Sequence, residues 1–137
     1  MQDGSILAGM NIATICLAIA CVLPVVCAGL AKREGVSRGT FDNRDPRAWL
    51  AKQTGAAARA HAAQLNSWEA LIVFAAGVLS AQVQEGPPGI IDALATTFIA
   101  ARLVYIGVYV ADLATVRSIV WTVGFLASLA LFFVGLM

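Results

Sequence analysis

Two short runs carry residues able to do chemistry into the apolar part of the chain. The first, RAHAAQLNSWEAL over residues 59–71, sets Arg59, His61, Gln64, Asn66 and Glu69 close together. The second, ARLVYIGVYVADLATVR over 101–117, carries Arg102, Tyr105, Tyr109 and Arg117. On a helix advancing about 100° per residue, Arg59 and Asn66 lie nearly in register and Glu69 follows about one turn later, about 60° around. These three form one polar stripe, while His61 and Gln64 fall on other faces. Arg102, Tyr105 and Tyr109, spaced i, i+3 and i+7, share a face in the same way. Guanidinium groups suit carboxylates, a carboxylate suits an amine, and a phenol or guanidinium can steady a reactive anion. Such a lining fits a small zwitterionic or anionic ligand.

The elements that must position these residues are membrane helices. The 137 residues are 60% hydrophobic and 12% charged, and mean hydropathy is +0.82, far outside the range of soluble domains. Four apolar segments, about 5–31, 55–83, 89–111 and 116–137, are each long enough to cross a hydrocarbon core of about 30 Å as a helix. The expectation is an all-α, four-transmembrane-helix bundle forming a single membrane domain over 1–137. A net charge of +1 gives no reason to expect a nucleic-acid partner. The first segment is not read as a signal peptide, because MQDGS is acidic where a positive leader is needed and the apolar run is too long.

The loop over 32–54 holds Lys32, Arg33, Arg38, Arg44, Arg47 and Lys52. By the positive-inside rule it is cytoplasmic, which puts both termini outside. Within it, Asp42, Asn43 and Asp45 favour turns and Pro46 can open a helical turn; Arg33, Arg44 or Arg47 could instead border a ligand site. Cys16, Cys21 and Cys27 lack CxxC spacing and a neighbouring histidine, so they are read as small packing residues and no metal site is expected.

A charged residue deep in a bilayer costs at least about 2.5 kcal/mol on insertion scales. Glu69 therefore needs a partner in the protein, and Arg102 is the obvious candidate counter-ion. Two readings stay open for these groups: interhelical hydrogen bonding that merely holds a bundle, or the lining of a cavity. Arg117 is either a snorkelling anchor or part of that lining. Four short helices enclose little volume, so a site shared between subunits fits better than one inside a single chain.

The run RAHAAQLNSWEALIVFAA followed by ARLVYIGVYVADLATVR resembles the membrane-associated proteins in eicosanoid and glutathione metabolism, which include the microsomal glutathione transferases and leukotriene C4 synthase. The resemblance covers nearly the whole chain and is to bacterial-type members. It implies a homotrimer in the bacterial inner membrane with glutathione as co-substrate between subunits, and lipophilic small molecules arriving from membrane lipids. Asn66 and Glu69 would contact the backbone and amine of glutathione, Tyr105 and Tyr109 would border it, and Arg102 would support the site from within the bundle. Arg117 lies near the family's thiolate-stabilising arginine, with Tyr109 as the second choice for that role. One departure stands out. Transferases of the family have an arginine four residues before the asparagine; here that position is Ala62, and the nearest upstream arginine is Arg59. The resemblance implies a glutathione transferase or peroxidase acting on lipophilic electrophiles. The alternatives are a non-catalytic membrane scaffold or subunit of a larger complex, and a small multidrug transporter, whose essential acid would belong in the first helix.

Overall fold

The computed structural model describes residues 11–137; the first residues of the apolar segment at 5–31 lie outside the described region. Five α-helices follow in order, α1 (Ile12–Ser37), α2 (Pro46–Ala51), α3 (Gly55–Val83), α4 (Pro88–Val110) and α5 (Ala114–Leu131), with a closing 3-10 turn at Val134–Leu136. The four long helices are each long and apolar enough to cross a membrane. α1 packs chiefly on α3 and α4 chiefly on α5, while α3 also touches α4 and α5.

α1 ends six residues later than the apolar segment, because Lys32 to Ser37 continue the helix past the hydrophobic run. It stops where Gly39 takes a φ of +67° and Thr40 donates back to the Gly35 carbonyl at 2.8 Å. α2 begins at Pro46 as the turn chemistry suggests, with Asp45 accepting from the Ala48 amide at 3.1 Å. Leu50 then plugs α2 against Ala31 and Ala60. At the other extreme, α5 gives way at Phe132 to the 3-10 turn, so the fourth segment is not one helix to residue 137.

The buried face of α1 is a seam of mostly small residues, Ala13, Cys16, Ala20, Leu23, Cys27, Ala31 and Gly35. Steps of three and four keep such a seam on one side of a helix and let backbones approach closely. Cys16 and Cys27 sit in it and Cys21 points outward, so only two of the three cysteines pack inside the bundle. Gly77 does the same work on α3, where an added Cβ would meet the Ser128 carbonyl of α5 at 2.8 Å.

The bundle has two unlike ends. At the turn end, near the α3–α4 connection, Phe74 and Phe98 stack with ring centroids 3.9 Å apart, and Val78, Ala81, Ile91, Ala95, Leu131 and Val134 close around them. The loop end holds α2 and the α4–α5 corner, and there the core contains Tyr105 with Leu23, Cys27, Ala63 and Ile106.

Candidate functional site

Glu69 is the middle residue of α3, with fourteen residues of helix on each side (69 − 55 and 83 − 69). Its carboxylate is exposed on the surface of the chain and accepts from Asn66 Nδ2 at 3.2 Å. Asn66 in turn accepts through Oδ1 from Arg102 Nη1 at 3.0 Å. The second arm of Arg102, Nη2, donates to Ser67 Oγ at 3.0 Å, and the Ser67 hydroxyl donates to the Ala63 carbonyl at 2.7 Å. Arg102 is only 3% exposed and Ser67 4%. A buried guanidinium is tolerable because α3 meets it with two oxygens and the Tyr105 ring lies 4.1 Å from its central carbon.

This chain of contacts differs from a simple Arg102–Glu69 ion pair. Arg102 holds Asn66, and Asn66 holds Glu69; among the described residues Glu69 has no cationic partner. Arg102 thus fixes the side chains of α3 from inside the bundle. Ser67 is not distinguished by sequence, since a serine in a helix ordinarily bonds to its own backbone; its one sequence signal is its place beside Asn66 in a polar run.

The second half of the site is the corner between α4 and α5. Tyr105 and Tyr109 meet edge to face with centroids 5.4 Å apart, and the Arg117 guanidinium carbon lies 4.3 Å from the centre of the Tyr109 ring. Arg117 is therefore stacked on the tyrosine face; it does not simply snorkel. Stacking leaves the edge N–H donors of a guanidinium free for an anion.

Two clefts share this machinery. One, an open cleft of about 310 Å³, has Asn66, Tyr105, Tyr109, Arg117, Ser118 and Trp121 in its lining. The other, about 130 Å³, has Asn66, Glu69 and Arg102 at its polar side and Phe98, Trp121 and Phe125 among its apolar walls. Asn66 and Trp121 border both. Trp121 and Phe125, stacked with centroids 5.0 Å apart, were not singled out from sequence because aromatics in an apolar helix are ordinarily packing or interface residues. A polar cleft opening beside an apolar one can seat a molecule with charged groups next to a hydrophobic one.

Arg59 does not join either cleft. Its Nε donates to the Val110 carbonyl at 3.0 Å and its Nη1 lies 3.8 Å from Asp112. Arg59 shares the Asn66 face of α3, but at the start of that helix the face meets the C-terminal end of α4. His61 bonds to Gln64 at 3.3 Å and lines neither of these clefts.

Neither a curated protein nor a solved structure gives a significant match to the chain. A family model does match, that of the MAPEG family, over residues 12–137. The match takes in all four long helices and both halves of the site, and it makes the chain an integral membrane protein belonging to the MAPEG family.

Proposed function

We propose that the chain is a glutathione-dependent transferase or peroxidase acting on lipophilic electrophiles, working as a homotrimer with glutathione held between subunits. The family supports a role in glutathione or eicosanoid metabolism in general. The observation that carries the finer reading is Glu69: a carboxylate at the middle of a membrane helix, exposed on the chain surface, with Asn66 as its hydrogen-bond partner and no cationic partner among the described residues. Left facing lipid, it would cost about 2.5 to 3.5 kcal/mol on insertion scales. A neighbouring subunit and a bound ammonium group relieve that cost together, and the α-amine of glutathione is such a group.

In this reading Asn66 and Glu69 take the peptide and amine of glutathione. Arg102 keeps both in place, and Tyr105 and Tyr109 border the ligand. The basic loop over 32–54 faces the cytoplasm, the source of glutathione, with both termini outside the bacterial inner membrane. Arg117 lies beside the thiol. An ordinary thiol has a pKa of about 8.5, and an adjacent guanidinium lowers it so that thiolate is present at neutral pH. That thiolate attacks an electrophilic carbon, forming the C–S bond as the leaving group departs or the double bond takes the electrons. With a lipid hydroperoxide it attacks the terminal oxygen; the O–O bond breaks to give the alcohol and a sulfenic acid, which a second glutathione converts to disulfide and water. The cleft walled by Phe98, Trp121 and Phe125 suits the lipophilic partner.

The test is the ultraviolet thiolate absorbance of glutathione added to wild type and Arg117→Ala. The mutant is expected to lose the signal at neutral pH while remaining folded; an unchanged signal rejects the assignment of Arg117.

One observation favours a second reading, a non-catalytic MAPEG scaffold or subunit of a larger complex. Ala62 stands where the family's transferases have an arginine, and Arg59 is engaged elsewhere. Thermal stabilisation by millimolar glutathione separates the two, since a ligand that binds only the folded protein must raise its melting temperature.

A further inference from the structure

The α4–α5 connection is only three residues long, Ala111 to Leu113, yet it carries Tyr109 on one side and Arg117 on the other. It is built as a left-handed cap. Leu113 donates to the Val108 carbonyl at 2.9 Å and Asp112 to the Tyr109 carbonyl at 3.1 Å, the pairing that ends a helix when the residue between adopts a positive φ. Here that residue is Asp112, at φ +64°, a conformation that glycine adopts freely, aspartate occasionally and most other residues rarely. Gly107, Val108 and Tyr109 each give their carbonyl to a later amide. The carbonyl of Val110 goes to Arg59 Nε at 3.0 Å, across from α3, and the same guanidinium approaches Asp112 Oδ2 at 3.8 Å.

We infer that Arg59 is a positioning residue: by clamping the Val110 carbonyl and Asp112 it holds the α4–α5 corner in its left-handed form against α3, and so sets the Tyr109–Arg117 pair relative to Asn66 and Glu69. Arg59 and Asn66 lie two turns apart on one helix, so the clamp references both halves of the site to a single rigid element. This gives a role to the arginine that the sequence displaced from its expected place. The Nε donor and the charge act at different atoms, and lysine supplies the charge without the fork. For activity the inference rests on the proposed glutathione reading; for structure it stands alone.

The experiment uses the full chain in detergent or nanodiscs and compares wild type, Arg59→Met, Asp112→Gly and the double variant. Amide hydrogen exchange read by mass spectrometry should speed up about tenfold or more at residues 111–117 in Arg59→Met, the scale of a lost charge-assisted hydrogen bond. Exchange in α1 and around residues 66–69 should stay as in wild type. Adding Asp112→Gly should restore much of the protection, because glycine needs no clamp to hold a positive φ. Unchanged exchange at 111–117, faster exchange spread over all four helices, or a double variant as fast as Arg59→Met would each overturn the clamp. With glutathione present, Arg59→Met should lower the thiolate signal several-fold while keeping the glutathione-induced rise in melting temperature. Loss of both would make Arg59 a ligand contact and overturn the positioning role. A wild-type protein with no thiolate signal would count against the glutathione reading, leaving the exchange result to decide the clamp.

Discussion

The two ends of the bundle solve the same packing problem with different chemistry. At the turn end, aromatic and aliphatic side chains close on one another, with Phe74 and Phe98 stacked and Leu131 and Val78 fully buried. Towards the loop end, the helices are joined through Arg102, Asn66 and Ser67, and beside those contacts lie two clefts of about 130 and 310 Å³. Dispersion is non-directional and rewards filling every gap, so the core around Phe74 and Phe98 is filled, and the cleft at that end lies outside it, among Asn11, Gln82, Glu85 and Asp92. Directional hydrogen bonds fix the spacing and rotation of the helices they join, and α3 and α4 are held that way through Arg102.

The contrast can be broken from either side. The largest effect on stability is expected from Phe74→Ala, which should cost about 3–5 kcal/mol by removing a fully buried ring. Chemical denaturation in a mixed detergent would show it, and the folded fraction should still respond to glutathione. Arg102→Met is expected to cost less stability, about 2–3 kcal/mol for the lost charge-assisted hydrogen bonds, yet to abolish the glutathione-induced thermal shift because Asn66 loses its anchor. If Arg102→Met kept the full shift, the polar network would be packing alone. Ser67→Ala removes one acceptor and should cost about 1 kcal/mol, with a glutathione shift reduced but present. A Ser67→Ala protein as damaged as Arg102→Met would place the main anchor on Ser67 instead of Asn66.

The helices were readable because membrane spans are written in composition: nothing but a helix satisfies its backbone over twenty apolar residues. Helix ends were less so, since Lys32 to Ser37 extend α1 beyond the apolar run and α5 yields to a tighter turn before the chain stops. Within the site, the periodicity aligned Arg59, Asn66 and Glu69 but gave no reach. Depth along the neighbouring helix sends Arg59 to the α4 terminus and leaves Asn66 facing Arg102. Ser67, Trp121 and Phe125 were hidden because their types are ordinary in such helices; only the approach of α4 and α5 gives them partners.

The central proposal is that the polar end binds glutathione, and the most direct measurement is a map at side-chain resolution of the protein with glutathione added. The account predicts a trimer with ligand density between adjacent subunits, its amine against Glu69, its peptide against Asn66 and its sulfur within reach of Arg117. A well-resolved assembly with those three residues free of density, or with Glu69 turned to lipid and no ligand beside it, would contradict it.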